Sequence, residues 1–266
     1  MYDFTYHRPK SLADAAKLLG GSEEAKLVAG GMTLIPTLKQ RLARPSDLID
    51  LGGIGELKGI KREGNAIVIG AMTRHADVAH SAEVKKAIPA LAALADGIGD
   101  PQVRNRGTIG GSVANSDPAA DYPAAVLGLG ATVLTNKRKI AADDFFTGIF
   151  STALDPAEII TAVSFPLPKK AAYQKFRNQA SRYALVGVFV AEAADGVRVA
   201  VTGAGSNGVF RVPAFEAALK KEFAPKSLEG LSVAADGMIG DIHGSGEYRA
   251  HLIGVLARRA VAEASA

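Results

Sequence analysis

Two pairs of adjacent glycines are the residues of this sequence best suited to bind a ligand. Gly30–Gly31 lie in a first glycine segment, residues 26–36, and Gly110–Gly111 lie in a second glycine segment, residues 104–121. In each segment a short apolar run leads into the glycines and a hydroxylated residue follows them. Glycine permits positive φ and leaves no side chain over its N–H group. Because successive N–H groups around one concavity bind anions, the two pairs predict one site for a ligand with more than one phosphate, such as a pyrophosphate.

The second glycine segment also carries polar side chains that could bind such a ligand. They are Thr108, Ser112, Asn115, Ser116, Asp117 and Asp121. Ionised Asp121 can only accept hydrogen bonds, so it could bind a sugar hydroxyl. Capping of the helix that starts before Pro123 explains Asp121 equally well. A tight structural turn likewise remains the alternative for each glycine pair.

Other motifs give no support to a second kind of chemistry. Gly203–Gly208 has the G-x-G-x-x-G spacing, but residues 209–213 precede the next helix and no βαβ unit follows, so a loop is predicted. A G-x-x-x-x-G-K-[ST] sequence, which would indicate an ATPase or GTPase, and a G-x-S-x-G elbow are both absent. The 5 histidines show no metal-ligand spacing, and there is no cysteine nucleophile. We predict no catalytic side chain and no metal site.

Composition is that of a soluble globular protein. The chain has 266 residues, 48% hydrophobic and 22% charged, and a net charge of +4, which suits one to three domains. The scattered basic residues and the lack of tryptophan argue against nucleic acid. No apolar run is long enough to cross a bilayer. The absence of cysteine and of a secretion signal predicts a cytoplasmic protein, and it places any thiolate-bound iron–sulfur cluster in a partner.

The elements around the first glycine segment predict a small α/β unit that ends near residue 58. Ser11 and Asp14 form a capping box that opens a helix, which ends at Gly20–Gly21. Strands are predicted at residues 26–29 and 47–51, with a turn of helix at residues 34–41 between them.

The elements around the second glycine segment mix strands and helices. The pattern predicts strands at residues 57–61, 66–69, 131–135 and 158–165, and helices at residues 74–79, 83–98 and 123–129. Thr73 is the predicted cap of the first helix, and Pro89 breaks the second. The second glycine segment itself is predicted to be a loop.

Prolines near residues 166–172 suggest a domain boundary. Beyond it, the pattern predicts an antiparallel sheet of strands 173–177, 184–193 and 197–202. A helix is expected to start at Pro213 and to end at Glu222, and a last helix covers residues 247–264.

At this point a resemblance to a known family becomes clear. Residues 28–36 and 106–121 closely resemble the two FAD pyrophosphate motifs of the molybdenum hydroxylases, and the similarity continues through residues 175–188 and 241–252. Over essentially its whole length the chain resembles their separate FAD-binding medium subunit, as in the carbon monoxide dehydrogenase and xanthine dehydrogenase families.

The resemblance implies an α+β fold in three parts. A two-part FAD-binding domain of the vanillyl-alcohol-oxidase-like (PCMH-type) kind would cover residues 1–58 and 59–170. A smaller α/β C-terminal domain, with an antiparallel sheet and helices, would cover residues 171–266.

The resemblance also implies a cofactor-binding set, with FAD held non-covalently. Backbone N–H groups of the glycine segments would hold the diphosphate, Asp121 would bind a cofactor hydroxyl, and Ile98 and Ile160 would lie against the flavin. The full set is Leu27, Val28, Ala29, Gly30, Gly31, Met32, Thr33, Leu34, Ile98, Thr108, Ile109, Gly110, Gly111, Ser112, Asn115, Asp117, Asp121, Ile160 and Asn178.

Two positions depart from the family pattern. Met32 stands where many relatives have His, Gln or Thr, so Thr33 would make any side-chain contact there. Asn178 stands where xanthine oxidases have a Lys near the flavin, and its neutral amide makes NAD⁺ a doubtful electron acceptor.

The hypothesis is therefore an FAD-binding electron-transfer subunit of a molybdenum-containing hydroxylase or dehydrogenase. The molybdenum cofactor is expected in a large partner and [2Fe–2S] clusters in a small one, in a dimer of heterotrimers. A stand-alone FAD oxidoreductase with its own small substrate, and a scaffold subunit without cofactor, are the alternatives.

Overall fold

The computed structural model describes the whole chain, Met1–Ala266. Its first part comprises β1 (Thr5–His7), α1 (Leu12–Gly20), β2 (Lys26–Val28), α2 (Leu34–Lys39) and β3 (Asp47–Asp50). The strands form a parallel sheet in the order β1-β3-β2. The Ser11 hydroxyl accepts from the Asp14 N–H at 3.1 Å, as the capping box predicts. Strand β2 ends at Val28, just before Gly30–Gly31. The sheet therefore fixes the place where the first glycine segment turns.

The second part is built on a five-stranded sheet. Its elements are β4 (Ile60–Glu63), β5 (Ala66–Gly70), α3 (His75–His80), α4 (Ala82–Ala87), α5 (Pro89–Asp96), α6 (Pro101–Arg104), α7 (Ile109–Asn115), α8 (Tyr122–Gly128), β6 (Thr132–Thr135), β7 (Lys139–Ala141), α9 (Ala142–Phe145), β8 (Phe146–Gly148), β9 (Ser151–Thr152) and β10 (Ile160–Pro166). The sheet is antiparallel, in the order β4-β5-β10-β6-β7. Both β5 and β10 contact α7, so this sheet supports the second glycine segment.

The third part is a four-stranded antiparallel sheet with two helices. Its elements are β11 (Lys170–Arg177), β12 (Ala184–Ala193), β13 (Gly196–Thr202), β14 (Phe210–Arg211), α10 (Pro213–Lys221) and α11 (Gly246–Ser265). Side chains alternate between the two faces of a strand. Val188 and Val190 therefore pack into a core with α10 and α11, while Phe189 and Ala191 pack into the core of the second part. This sheet is consequently covered on both faces.

The α+β fold class predicted from the sequence is confirmed, with three local corrections. The second glycine pair lies in helix α7 and not in a loop, because capping and packing outweigh the low helix propensity of glycine. Thr73 does not cap α3, since its hydroxyl hydrogen-bonds the backbone of Gly59 instead. Residues 139–152, for which no element was predicted, contain β7, α9, β8 and β9. No helix is both long and apolar enough to cross a membrane.

Candidate functional site

A run of free backbone donors lies between β2 and α2. The N–H groups of residues 30–34 donate to no acceptor within the chain. Gly31 has a φ of +75°, a conformation that glycine adopts without strain. The Thr33 hydroxyl makes no capping bond to α2, so it is free as well. This loop therefore presents consecutive donors of the kind that bind an anion.

The two glycine segments are in direct contact. A Cβ atom on Gly30 would overlap the carbonyl group of Arg106 and would lie 2.8 Å from the Cα atom of Gly107. A Cβ atom on Gly111 would lie 3.6 Å from the Cβ atom of Ala29. At Gly30 the backbones can approach this closely only because the position is a glycine. The structure thus places both segments beside one another, as one shared ligand requires.

The second glycine segment offers fewer backbone donors than the sequence predicts. The N–H groups of Ile109, Gly110 and Ser112 donate to backbone carbonyl groups at 3.1, 2.8 and 3.0 Å. The Gly111 N–H donates to the Thr108 hydroxyl, the cap of α7, at 3.2 Å. Within residues 108–112 only the N–H of Thr108 has no acceptor in the chain. Helix formation uses the other four donors, and the prediction that this backbone holds a phosphate stays a prediction with the N–H of Thr108 as its free donor.

Gly110 has a packing role. A Cβ atom there would lie 2.8 Å from the carbonyl oxygen of Ala71 and 2.9 Å from its Cα atom. The glycine therefore lets α7 lie directly on the chain that follows β5.

Two side chains of α7 carry polar groups that are free to bind a ligand. Ser112 and Asn115 are three residues apart, and so lie on one face of the helix. Both are half-buried, and neither side chain hydrogen-bonds another group of the chain. Polar groups in such a position normally find a partner. They are the side chains of this segment best placed to bind a polar ligand.

Asp121, the last residue of the second glycine segment, lies in a buried cluster of polar side chains. Its carboxylate accepts from the Tyr173 hydroxyl at 2.5 Å and from the Lys175 ammonium at 2.9 Å. Burial raises the pKa of Asp121, and the Lys175 charge opposes that rise. The side chain makes no capping bond to α8, so the capping alternative is wrong. The sequence analysis assigned no role to Tyr173 or Lys175, which alternate along β11 and so share one face of the strand.

The remaining predicted residues lie at several places around these segments. Ile98 is half-buried, and its carbonyl accepts from Arg104 at 3.0 Å. Ile160, the first residue of β10, is 5% exposed and belongs to the core of the second part. The Asn178 side-chain oxygen accepts from the N–H groups of Ala180 and Ser181, which gives it a role in its own turn.

Asp117 lies near Tyr183. The Asp117 carboxylate accepts from the Ala119 N–H at 2.9 Å. Burial raises the pKa of Tyr183, and the charges of Asp117 and Asp121 raise it further. The Tyr183 hydroxyl thus lies close enough to both carboxylates to be affected by their charges. Of the other predicted residues, Leu27 and Val28 pair with β3, and Met32 is exposed.

His75 and Tyr122 are buried polar residues that sequence analysis did not single out. Their ring centroids are 5.3 Å apart, and neither His75 Nδ1 nor the Tyr122 hydroxyl has a hydrogen-bond partner. Burial, with a contribution from Arg104, lowers the pKa of His75 to about 4. The His75 N–H donates to the Gly107 carbonyl at 3.0 Å. This backbone bond and the packing of the His75 ring against Gly107 help to hold the second glycine segment.

Comparison with known proteins agrees with this geometry. Residues 2–168 match the family described as the FAD binding domain in molybdopterin dehydrogenase. The chain is 40% identical to the nicotine 6-hydroxylase medium subunit of Paenarthrobacter nicotinovorans, over 98% of this chain and 97% of that one.

Solved structures show the same relationship. The fold superposes on carbon monoxide dehydrogenase from Hydrogenophaga pseudoflava with a TM-score of 0.90 at 35% identity, covering 99% of this chain and 98% of the other. Quinoline 2-oxidoreductase from Pseudomonas putida 86 gives a TM-score of 0.89 at 28% identity, covering 99% and 97%. The chain therefore belongs to the family of FAD-binding domains of molybdopterin dehydrogenases, and it is an FAD-binding oxidoreductase subunit of the medium-subunit type.

Proposed function

We propose that this chain is the electron-transfer subunit of a molybdenum-containing hydroxylase or dehydrogenase. It would accept electrons from [2Fe–2S] clusters in a partner subunit and pass them to an external acceptor. The observation that most supports this is the run of free N–H groups at residues 30–34, in contact with the second glycine segment. The absence of cysteine agrees with iron–sulfur clusters held elsewhere.

The residues present fit FAD. The free N–H groups of residues 30–34 and of Thr108 would bind the diphosphate, with the hydroxyl of Thr33 beside them. Ser112 and Asn115 would bind further polar atoms of the cofactor along α7. No covalent attachment is proposed, because the nearest histidine to these segments, His75, is buried in the core at 5% exposure.

The protein contributes position and environment to this function. Bound FAD supplies redox chemistry that no side chain of the chain can provide. Rigid anchoring at the diphosphate would fix the cofactor relative to the partner subunit. Asp121, held by Lys175 and Tyr173, would offer a carboxylate to a cofactor hydroxyl. Half-buried Ile98 would offer apolar surface, whereas Ile160 packs in the core.

The assembly proposed is that of the family. Large and small partner subunits would carry the molybdenum cofactor and the [2Fe–2S] clusters, in a dimer of heterotrimers. Within the chain, we propose that residues 1–58 and 59–170 form the two parts of the FAD domain and residues 171–266 a C-terminal domain. The three larger sheets, one in each part, and the family match to residues 2–168 support this division.

Purification of the chain with and without its co-expressed partners tests the proposal. We expect a yellow complex that releases about one FAD per chain on denaturation, and no substrate turnover by the isolated chain. A colourless complex without FAD would identify a scaffold subunit. Turnover of a small substrate by the isolated chain would identify a stand-alone oxidoreductase. Either result would overturn the proposed function.

A further inference from the structure

The end of helix α2 contains two residue choices that the fold does not explain. The Arg41 N–H donates to the Leu38 carbonyl and the Leu42 N–H to the Thr37 carbonyl, both at 3.1 Å. This is the Schellman arrangement, in which the residue after the helix cap takes a left-handed conformation and is usually glycine. Here that residue is Arg41, with a φ of +59°. Glycine would adopt this backbone at lower cost.

Leu42 is the second unexplained choice. Its side chain is 74% exposed, although the residue at this position of a Schellman motif commonly packs back on its own helix. An exposed leucine beside a strained arginine opposes local stability. Positions that break local rules in this way often serve function.

Three cations without an ion-pair partner lie within three residues of Leu42 in the chain, Lys39, Arg41 and Arg44. The guanidinium carbons of Arg41 and Arg44 lie 5.7 and 5.3 Å from the ring centroid of Tyr2. Neither arginine, nor Lys39, forms a salt bridge with any acid of the chain. Stacking on Tyr2 holds the two arginines in place while their charges stay available.

We propose that this surface, the α2-end patch (Tyr2, Lys39, Arg41, Leu42 and Arg44), docks an acidic surface of a partner subunit. Carboxylates of the partner would pair with the three cations, and an apolar recess among them would receive Leu42. Arginine and tyrosine around an apolar centre are the composition of a protein–protein hot spot. A nucleic acid would need a longer basic footprint without an apolar centre.

The position of the patch fits an electron-transfer complex. The patch ends the same helix that follows the first glycine segment, and a six-residue helix is only about 9 Å long. A partner docked there would lie close to the bound diphosphate. The inference rests on the proposed function, since it requires a multi-subunit enzyme.

Two substitutions separate docking from folding. Arg41→Gly removes a cation and relieves the left-handed strain, so the melting temperature should stay the same or rise. Leu42→Ser removes the apolar centre from an exposed position, so the fold should be unaffected. We expect each variant, co-expressed with the partner subunits, to bind them at least about tenfold more weakly than wild type, measured by mass photometry on dilution. The effect of Arg41→Gly should shrink at high salt.

The control is Lys220→Glu/Lys221→Glu, in the basic last turn of α10, which should assemble like wild type. Equal assembly of wild type, Arg41→Gly and Leu42→Ser would overturn the patch assignment. A third outcome is that wild type binds phosphatidylserine vesicles, the variants do not, and assembly is unchanged. The patch would then be a membrane-binding surface, and the assignment to a partner subunit would be overturned. If wild type retains FAD but binds no partner subunit, the proposed function fails, and not only the patch.

Discussion

Single residues of the cofactor site divide into those that bind and those that hold the fold. We propose that Ser112 and Asn115 belong to the first group, because their polar groups have no partner in the chain. Gly110 and His75 belong to the second, because their surroundings are entirely protein. The division yields three predictions.

Removal of the free polar groups of α7 should weaken FAD binding without unfolding the protein. We expect Ser112→Ala and Asn115→Ala each to cost about 1 kcal/mol of binding free energy, the net contribution of one hydrogen bond. Titration of the cofactor-free complex with FAD measures this loss, and thermal melting checks the fold. Ser265→Ala, which removes a hydroxyl on α11 bonded to the Val261 carbonyl, is the control. Unchanged affinity in both α7 variants would show that this face does not bind the cofactor.

The two neighbouring glycines should respond differently to the same substitution. In Gly110→Ala the new methyl group would press on the backbone of Ala71, so we expect destabilisation of about 1–3 kcal/mol. In Gly111→Ala it would lie between the segments, near Thr108 Oγ1 and Ala29, so FAD content should fall while the fold is largely kept. Denaturant unfolding and flavin absorbance separate the two effects. Equal loss of stability in both variants would contradict this division.

His75 should make stability depend on pH in mildly acidic solution. Burial lowers the pKa of His75 from 6.5 to about 4, and Arg104 adds to the shift. Between these two pH values the imidazole is protonated in the unfolded chain and neutral in the folded one. Stability is then full above about pH 6.5 and falls by up to about 3 kcal/mol as the pH drops toward 4. Unfolding free energies of wild type and His75→Gln over this range should show a shallower slope in the variant. The control is His80→Gln, since His80 is an exposed residue of the same helix; this variant should keep the wild-type slope. A wild-type slope in His75→Gln would contradict the prediction.

At the scale of elements, the buried ion pair links α8 to β11. Asp121 and Lys175 are 4% and 5% exposed, and removal of one partner from such a pair leaves an unpaired buried charge. We expect Lys175→Met to destabilise the protein by about 3–5 kcal/mol. The double variant Asp121→Asn/Lys175→Met should recover part of this loss, as denaturant unfolding would show. A double variant no more stable than Lys175→Met would mean that the charge is not the cause.

Elements with strong local signals could be predicted from the sequence. The Ser11 cap, the prolines that start α5 and α10, and the strands β12 and β13 all lie where their patterns indicate. Helix α7 could not be predicted, because Gly110 and Gly111 disfavour a helix locally and much of its stabilisation comes from distant segments, such as the bonds to Ala71 and Thr73. The short elements of residues 139–152 have no periodicity of their own. Their conformation depends on the surrounding sheet.

The cofactor site follows the same rule. The glycine pairs identify it, but which N–H groups remain free depends on hydrogen bonds between distant segments, such as that of Gly110 to Ala71. The roles of Tyr173 and Lys175 depend on how β11 packs against the chain at Asp121. Sequence patterns do not contain such long-range pairings.

At the scale of the whole molecule, the third sheet holds the second glycine segment in place. The Gly203 N–H donates to the Pro118 carbonyl at 2.7 Å, and the Thr202 hydroxyl donates to the Ala120 carbonyl at 2.6 Å. Phe189 of the same sheet packs against α8, where a Cβ atom on Gly128 would lie 2.9 Å from its ring. The C-terminal part therefore contacts the second glycine segment directly and supports it.

The central claim is that the chain anchors FAD through its diphosphate at the contact between the two glycine segments. Titration of the cofactor-free complex with FAD, FMN and riboflavin, followed by flavin fluorescence, tests it directly. Because FMN has one phosphate and riboflavin none, we predict that FAD binds with about one site per chain and that the other two bind at least about a hundredfold more weakly, as the loss of several charge-assisted hydrogen bonds implies. Equal affinity for FMN and FAD would contradict the claim.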